Sequence, residues 1–405
     1  MTLPDSTADD TLLPPLRTGS AVAVSRCEPT AIPESEPAEA PRPAKLPSRD
    51  FLLLPLLSIV TIVLLFGLAE VTTRAIWSSK ENGFCMTFDP IAGPHGKPDC
   101  TSVIKLPEGP PAVMYFNSCG YRSNAPCGPK PPGSVRLAIL GSSIAEGYAL
   151  PTQDIFASIL SNRLAADWRR PVEYQDLGAD GCPPIYSYRH VGEALRLKPD
   201  AIILPLNPWD IEQGTDPRLL AVRSQPVAIN RAPLPIVHLN PVQQFQLWIR
   251  GSRTMLVAQH FLFQNRSEYL KLYLFAPTDH TQFVWYPFTP SWERRFQTLD
   301  LLLGEMASRI QAAGVQFVVV AVPERAQMMM LGAHDLPHGV DPYAFQRRLG
   351  DIAAKHNITF VDAMDAFRHT DPSQLFYVVD GHPTPTAHRL LAHAIAARLE
   401  STTAP

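Results

Sequence analysis

The part of the chain after residue 133 is most strongly constrained by five short strand-like runs that alternate with segments of helical spacing. The runs are Val135–Leu140, Val172–Gly178, Ala201–Leu206, Val315–Val322 and Ile358–Asp362. Short, mostly apolar runs are typical of strands that are buried on both faces of a parallel sheet. We therefore predict an α/β fold of the three-layer α/β/α type, in which a five-stranded parallel sheet lies between two layers of helices.

The segments between and after these runs have the apolar periodicity of amphipathic helices. They are Asp154–Trp168, Ser187–Asp200, Thr298–Gly314, Pro342–Asn357 and Thr386–Glu400. Because ligands bind at the carboxyl ends of the strands in such sheets, we expect the loops after the first three strands to converge on one site. The stretch over about 212–290 breaks the alternation and is rich in aromatic residues, so we interpret it as an insertion that covers the site.

A segment nearer the N-terminus, FLLLPLLSIVTIVLLFGLAE, carries no charge from Phe51 to Ala69. Its length is close to the ~20 apolar residues that span a hydrocarbon core of about 30 Å. A core helix of a soluble domain is the alternative, but such helices are rarely apolar on all sides over this length. We therefore predict one transmembrane helix over residues 50–72.

The charges that flank this segment predict its orientation. Basic residues precede it at positions 42, 45 and 49, whereas Glu70 stands beside Arg74 on the other side. The positive-inside rule then places the N-terminus in the cytoplasm and the large C-terminal part outside, in the periplasm or at the surface of a bacterial cell. Residues 1–49 are rich in Pro, Ala, Ser and Glu and poor in aromatic residues, so we predict a disordered cytoplasmic tail.

Five of the six cysteines follow the predicted membrane helix, where the compartment is oxidising. Cys85, Cys100, Cys119 and Cys127 lie in a turn-rich segment, and 85–100 with 119–127 is the local pairing among three possible connectivities. Cys182 is then left over. A zinc site is the alternative, but the spacing contains no CxxC pair. We therefore expect a disulfide-stapled lead-in over 73–133, followed by the α/β domain over 134–402.

Two classes of ligand receive no support from the sequence. The formal net charge of −3 shows no basic excess, which argues against a nucleic-acid partner. The loop after the first strand, GSSIAEG, contains neither GK[ST] nor GxGxxG, so a phosphate-binding loop is not indicated.

Polar residues stand where the predicted strands end and where the chain returns near its C-terminus. Ser143 follows the first strand, and Asp380 and His382 lie in VVDGHPTPTAH, just before the last helix. Acyl transfer through serine needs a hydroxyl nucleophile, an imidazole that takes its proton and a carboxylate that orients the imidazole. These three residues are the candidates for those roles. The backbone N–H groups of Ser143 and Gly181 are candidate oxyanion donors.

Each of these residues also has a plainer interpretation. Ser143 can cap the helix that follows, and Asp380 can form a turn with the next glycine. His388 and His393 are interpreted as packing or surface residues of the last helix, and Asp210 as a residue that bonds the backbone of a neighbouring loop. The order of the segments along the chain favours the catalytic interpretation.

That order resembles the SGNH family, the GDSL-type esterases and acyltransferases. Gly141, Ser142, Ser143 and Gly147 match the first block of the family, except that Ser142 replaces its aspartate. The segment NSCGYR, residues 117–122, is similar to the Asn-x-x-Gly-x-Arg lead-in of envelope-facing members.

The remaining blocks match less evenly. Gly181 stands at the glycine of the second block, and Asp380 and His382 match the last block with an Asp-x-His spacing that resembles membrane-linked members. In the third block, Gly-x-Asn-Asp, Asn207 stands at the glycine position and Trp209 at the asparagine position. Either Asn207 substitutes as an oxyanion donor or one donor is missing, which costs roughly 3–4 kcal/mol of barrier in such sites.

The resemblance implies a flavodoxin-like SGNH fold and a membrane-anchored, serine-dependent acyl-ester hydrolase or O-acetyltransferase. Its substrate would be a cell-envelope glycan or another extracytoplasmic ester, and its candidate partners are envelope proteins that modify polysaccharide. It implies no metal and no other cofactor. The altered first and third blocks motivate the alternative of a non-catalytic, glycan-binding scaffold of an envelope polysaccharide machine.

Overall fold

The computed structural model describes residues 49–83, 85–89, 93–123, 125–214, 251–276 and 278–403, and the single residues 47, 240 and 244. The tail predicted over 1–49 lies outside the described residues except for Pro47 and Arg49. Within the predicted insertion over about 212–290, residues 215–250 apart from Asn240 and Gln244 also lie outside them. The chain divides into two units, Met1–Ile59 and Val60–Pro405.

The first helix, α1, covers Asp50–Ile76, and no residue of it is buried. Its mean hydropathy reaches 2.8 over an 18-residue window. A helix of 27 residues is about 40 Å long, which exceeds the thickness of a hydrocarbon core. By length and composition, α1 is therefore a candidate membrane span.

The lead-in that follows α1 contains five short strands rather than turns alone. They are β1 (Lys80–Asn82), β2 (Met86–Asp89), β3 (Gly93–Gly96), β4 (Thr101–Lys105) and β5 (Pro111–Tyr115). Strands β1, β4 and β5 form one antiparallel sheet, and β2 and β3 form a second. Both predicted disulfides, Cys85–Cys100 and Cys119–Cys127, are present, with Cα atoms 5.6 and 5.7 Å apart.

The predicted five-stranded parallel sheet is confirmed. Its strands are β6 (Val135–Ile139), β7 (Val172–Asp176), β8 (Ala201–Leu206), β9 (Gln316–Ala321) and β10 (Thr359–Asp362). They are hydrogen-bonded in the order β10-β9-β8-β6-β7, and every neighbouring pair is parallel. Strands β6 and β8 are buried at every position, which explains their uninterrupted apolar sequence.

Helices cover both faces of this sheet. In chain order the described α-helices after α1 are α2 (Ser143–Glu146), α3 (Phe156–Trp168), α4 (Pro184–Arg196), α5 (Pro208–Gly214), α6 (Arg253–Gln264), α7 (Arg266–Leu274), α8 (Pro290–Ala312), α9 (Arg325–Leu331), α10 (Ala344–Lys355), α11 (Met364–Phe367), α12 (Pro372–Leu375) and α13 (Pro385–Thr403).

Two apolar clusters, one on each face of the sheet, make up the core. On one face, α3 packs on α13, with Phe156, Leu160 and Leu399 fully buried. On the other face, α4, α8 and α10 pack together around Trp292 and Phe345. The three-layer arrangement predicted from the alternating sequence is therefore confirmed.

Helix α8 begins at Pro290, eight positions before the predicted start at Thr298. Thr289 caps it by accepting a hydrogen bond from the Trp292 N–H, and Pro290 occupies the first turn, where its missing N–H costs nothing. This start signal lies inside the aromatic-rich stretch that the sequence analysis assigned to an insertion.

The order of the strands creates a switch point beside β6. The chain passes from β6 outward to β7, then crosses back to β8 on the other side of β6. In doubly wound sheets, the crevice at such a reversal is where ligands bind. The loops after β6 and β8 open on this crevice, and they carry Ser143 and Asn207.

Candidate active site

Ser143 stands at the point where β6 turns into α2. Gly141 adopts a φ of +141°, and a Cβ at that position would lie 2.8 Å from the Cβ of Ala145. Only glycine therefore allows the strand to pass this tightly into the helix. Ser143 is the first residue of α2, and it lines a cleft of about 290 Å³ at the carboxyl edge of the sheet.

Asp380 and His382 come to Ser143 from the loop before α13. The Nε2 atom of His382 lies 2.9 Å from the Ser143 Oγ, and its Nδ1 lies 2.7 Å from an Asp380 carboxylate oxygen. The same oxygen accepts a hydrogen bond from the His382 backbone N–H at 3.2 Å. The structure thus brings together, in one hydrogen-bonded line, three residues that are up to 239 positions apart in sequence.

The surroundings of His382 favour its protonated form. Burial lowers the pKa of His382, but the hydrogen bond to Asp380 and the nearby carboxylates of Asp380, Asp180 and Glu146 outweigh this effect. The net result is a raised pKa. An imidazole in this setting can accept a proton from the hydroxyl of Ser143 and hold the resulting positive charge beside Asp380.

Two of the predicted oxyanion donors are backbone N–H groups beside the cleft. Within the described part of the chain, neither the Ser143 nor the Gly181 N–H forms a hydrogen bond. Gly181 has a φ of +67°, and a Cβ there would meet open space. The positive φ therefore explains the glycine at this position, rather than close packing.

The third predicted donor, Asn207, forms a reciprocal pair with Asp210. The Asn207 side-chain oxygen accepts a hydrogen bond from the Asp210 N–H at 2.9 Å, and the Asn207 N–H donates to the Asp210 carboxylate at 3.0 Å. This arrangement uses the oxygen of the amide and leaves its NH₂ end for the cleft, which Asn207 lines. Asp210 thus bonds the backbone of its own loop, three residues back, and not that of a neighbouring loop as predicted.

Asp210 also explains why Ser142 is tolerated where the resembling family carries aspartate. Both residues are buried, and the Ser142 side chain lies near enough to the Asp210 carboxyl to lower its pKa. Burial raises the pKa of Asp210 to about 7, against the lowering effect of Ser142 and of the Asn207 N–H. An aspartate at position 142 would face a second buried carboxyl, whereas a hydroxyl can donate to it.

Helix α2 is held in place by groups from the lead-in and from the loop after β7. Arg122, the last residue of NSCGYR, is fully buried and donates to the backbone oxygens of Glu146, Gly147 and Leu150. Glu146 accepts the Asp180 N–H at 2.9 Å, and burial raises the pKa of Glu146 to about 7. The lead-in motif therefore braces the helix that carries Ser143.

Several residues that line the cleft beside the triad were not predicted from the sequence. His280 lies 2.9 Å from a Glu212 oxygen and 3.2 Å from a Glu324 oxygen. Burial lowers the pKa of His280, but the two carboxylates outweigh this and raise it to about 9. Trp209 and Tyr269 add aromatic surface to the same cleft, and 37% of Trp209 is exposed.

The other residues singled out from the sequence, His388, His393 and Cys182, do not line the cleft. His388 is buried and accepts the Phe156 N–H at 3.0 Å, and burial lowers its pKa to about 3. His393 is exposed on α13, and Cys182 is a buried free cysteine. Among the described residues, no group of three or more His, Cys, Asp or Glu side chains is placed to hold a metal ion.

The C-terminal part of the chain matches a known protein family. Residues 288–405 match the family model described as the SGNH hydrolase-like domain of acetyltransferase AlgX. The matched stretch includes Asp380 and His382, whereas Ser143 precedes it. No curated protein sequence matches the chain.

The solved structures to which this chain is similar include TesA, LAE5 and Axe2. TesA is 16% identical to this chain with a TM-score of 0.36, and the alignment covers 66% of this chain and 98% of the TesA chain. LAE5, an alpha/beta hydrolase enzyme from the metagenome of Lake Arreo, Spain, is 16% identical with a TM-score of 0.39, covering 67% and 97%. Axe2, an acetylxylan esterase from Geobacillus stearothermophilus, is 15% identical with a TM-score of 0.37, covering 65% and 94%. All three TM-scores are below 0.5, so these structures carry no argument about the function of this chain.

Proposed function

We propose that this chain, which carries an SGNH hydrolase-like domain, is a serine-dependent acyl-ester hydrolase or O-acetyltransferase of the cell envelope. The single observation that carries the proposal is the hydrogen-bonded line from Asp380 through His382 to the Ser143 hydroxyl. The description of the matching family model as an acetyltransferase domain supports an acetyl group as the acyl group.

In the proposed reaction, the Ser143 oxygen attacks the carbonyl carbon of an ester while His382 Nε2 takes its proton. Asp380 holds the imidazole so that Nε2 faces the hydroxyl, and it stabilises the positive charge that forms on the ring. His382 then returns the proton to the leaving alcohol, and the acyl group remains on Ser143. Water releases it in a hydrolase, and a sugar hydroxyl takes it in a transferase.

The developing oxyanion would be bound by the N–H groups of Ser143 and Gly181 and by the NH₂ of Asn207. The Ser143 N–H is a free donor at the start of α2, and the other two come from the loops after β7 and β8. Donors that are fixed before reaction cost no reorganisation when the charge forms. Asn207 thus takes the place of the family asparagine, whose position is occupied by Trp209.

A glycan is the substrate class that best fits the cleft. Trp209 exposes an aromatic surface there, while His280 and Glu324, which also line the cleft, offer charged hydrogen-bonding groups. Aromatic faces with a few fixed polar groups are the usual means of orienting a small ligand in a concave site. These features support a sugar ring as the acceptor or as the acylated group.

We further propose that α1 anchors the protein in the membrane with the α/β domain outside the cytoplasm. The hydropathy of α1 and its lack of buried residues support a span, and the two disulfides support an oxidising compartment. Such a location would bring the cleft to the polysaccharides of the envelope.

The nucleophile is tested by labelling the full chain with a fluorophosphonate, which reacts with activated serine. The unaltered chain and the control Ser118→Ala, a change at an exposed lead-in serine, are expected to be labelled. Ser143→Ala and His382→Ala should not be labelled. A well-folded chain that takes no label would instead favour a non-catalytic glycan-binding scaffold.

The acceptor is tested with an activated acetyl ester supplied with and without oligosaccharide. Mass spectrometry of the products separates free acetate from acetylated sugar. Acetyl-sugar that requires Ser143 would establish a transferase, and acetate alone would establish a hydrolase.

A further inference from the structure

Glu108 links the lead-in to the loop that carries Asp380 and His382. It lies in the turn between β4 and β5, and its side chain is only 3% exposed. One carboxylate oxygen accepts the backbone N–H groups of Val379 and Asp380 at 2.9 and 3.0 Å. The other oxygen lies 2.6 Å from Nδ1 of His260. The buried carboxylate therefore has donors on both of its oxygens.

The loop that Glu108 contacts is otherwise held largely by hydrogen bonds within itself and with the preceding segment, such as that from the Thr384 N–H to the Leu375 oxygen. Inside the loop, the Tyr377 N–H donates to the His382 oxygen and the Gly381 N–H donates to the Tyr377 oxygen, each at 3.0 Å. The next residue of the lead-in turn also packs on the loop, since a Cβ at Gly109 would lie 3.0 Å from the Tyr377 hydroxyl oxygen. The Glu108–Gly109 turn is thus a rigid surface against which the loop is fixed.

His260, on α6, sets the orientation of Glu108. Its Nε2 lies 2.8 Å from the Gln264 amide nitrogen, which is a donor, so Nδ1 carries the proton that Glu108 accepts. The ring of Trp77 packs edge-on against His260, with centroids 4.7 Å apart. The carboxylate is therefore held from the side opposite the loop.

The start of α6 is in turn held by the last turns of α1. The Glu70 carboxylate accepts the Ser252 hydroxyl at 2.7 Å and the N–H groups of Arg253 and Thr254 at 3.0 Å each. A continuous set of hydrogen bonds and packed side chains thus runs from Glu70 through α6 and His260 to Glu108.

We propose that Glu108 is a positioning residue that fixes the Asp380–His382 loop for catalysis, with His260 holding Glu108 in the required orientation. The inference rests on the proposed serine-dependent function. Glu108 itself contacts no reacting atom. Charge-assisted hydrogen bonds from two consecutive backbone N–H groups set the height of the loop above the sheet, and this places His382 Nε2 within bonding distance of Ser143.

The test compares Glu108→Leu, Glu108→Gln and the control Glu268→Gln in the full chain in detergent micelles. Glu108→Leu removes every acceptor, so kcat for an acetyl ester should fall by about 100-fold with KM changed less than about twofold. Glu108→Gln keeps one oxygen for the two N–H groups and should retain at least roughly a tenth of the kcat. Glu268 pairs with Lys271 on the surface, and its variant should match the unaltered chain.

His260 is tested by the same split between a conservative and a disruptive variant. His260→Gln keeps a side-chain donor for Glu108 and should retain most of the kcat. His260→Leu removes the donor and should lower kcat toward the value of Glu108→Gln. Equal activity of the two His260 variants would remove His260 from the proposal.

Amide hydrogen exchange gives a second readout that needs no turnover. Exchange at the Val379 and Asp380 amides should be at least about tenfold faster in Glu108→Leu than in the Glu268→Gln control, because these N–H groups lose a buried acceptor. In Glu108→Gln, which keeps one neutral oxygen as a weaker acceptor, exchange should be faster than in the control by a smaller factor. Should Glu108→Leu fail to fold, Glu108→Gln still provides this measurement.

The outcomes separate this proposal from the proposed function. An unaltered chain that neither takes the fluorophosphonate nor cleaves ester would contradict the function, while the exchange data would still report on the loop. Unchanged exchange at both amides, or a folded Glu108→Leu chain with the kcat of the unaltered protein, would overturn the role of Glu108.

Discussion

At the scale of single residues, the site combines three groups that a motif predicts with several that no motif marks. Ser143, Asp380 and His382 were predicted because each follows a recognisable strand end or precedes the last helix, and the structure places them within hydrogen-bonding distance. Their catalytic roles stay predictions. The electrostatics of His382 give the most direct way to examine them.

The first residue-scale prediction concerns pH. A general base works only when neutral, and the pKa of His382 is raised above its ordinary value of 6.5. As pH falls, kcat/KM should therefore decline with a midpoint above that value. Asp380→Asn removes the group that raises the pKa, so the midpoint should move down while the maximal rate falls by roughly 10²–10⁴-fold.

The measurement is a profile of kcat/KM for an acetyl ester from about pH 5 to pH 9. The pKa of Glu146 is also raised to about 7, so Glu146→Gln tests which group causes the decline. If Glu146 causes it, the decline should disappear in this variant; if His382 causes it, the decline should remain with a slightly lower midpoint, because Glu146 also raises the pKa of His382. If Asp380→Asn leaves the midpoint of the decline at low pH unchanged, His382 is not the group whose protonation causes it.

The second residue-scale prediction concerns the pair Ser142 and Asp210. Ser142→Asp places a second carboxyl beside the buried Asp210, and we expect the free energy of unfolding to fall by roughly 1–3 kcal/mol. The double variant Ser142→Asp with Asp210→Asn should recover most of this loss, because an amide can donate to the new carboxylate. Urea unfolding followed by circular dichroism measures both, and the idea fails if the single variant is as stable as the unaltered chain.

Residues such as Glu108 and Glu212 could not have been predicted from the sequence. Their partners come from segments that are distant in sequence and lack a periodic pattern, so nothing local marks them. Glu108 lies in KLPEGPPA, which reads as an ordinary turn, and its carboxylate becomes significant only when the loop before α13 is folded against it.

At the scale of elements, the sequence predicts buried structure well and half-exposed structure poorly. Strand β8 has the predicted bounds, Ala201–Leu206, because it is apolar throughout. In the lead-in, β4 and β5 are five residues each and alternate between buried and exposed positions. Such short, half-exposed strands are hard to distinguish from turns in the sequence, so the two small sheets of the lead-in were not predicted although its disulfides were.

The prediction at this scale concerns the lead-in. Replacing Cys85 and Cys100 together by serine opens a link between residues 15 positions apart, which should lower the free energy of unfolding by about 3 kcal/mol. Because Glu108 lies in the turn between β4 and β5 of this lead-in, we expect ester turnover to fall as well. Thermal unfolding and kcat are measured beside the control Cys27→Ser, and an intact kcat in the loosened variant would separate the lead-in from the site.

At the scale of the whole molecule, the predicted division is a tail over 1–49, a membrane helix over 50–72, a lead-in over 73–133 and an α/β domain over 134–402. These bounds remain a proposal. The lead-in packs closely with the α/β domain, since Arg122 and Glu108 contact α2 and the loop before α13. We therefore expect the lead-in and the domain to unfold together.

The prediction at this scale concerns orientation. With short peptide tags at each end of the chain, protease added to spheroplasts, whose outer envelope is opened and whose inner membrane is sealed, should remove the C-terminal tag and leave the N-terminal tag intact. Lysed cells, in which both tags are lost, are the control. Protection of the C-terminal tag with loss of the N-terminal tag would reverse the proposed topology.

The buried thiol of Cys182 has a practical consequence. It is 2% exposed and adjoins Gly181, and burial raises the pKa of its thiol, so a reagent that alkylates thiolates should not modify Cys182 while the α/β domain is folded. In a Cys27→Ser background, each molecule that opens around the crevice would gain a single adduct. The number of adducts over time, measured by mass spectrometry, would then give the rate at which the region around Cys182 opens, without substrate, antibody or dye.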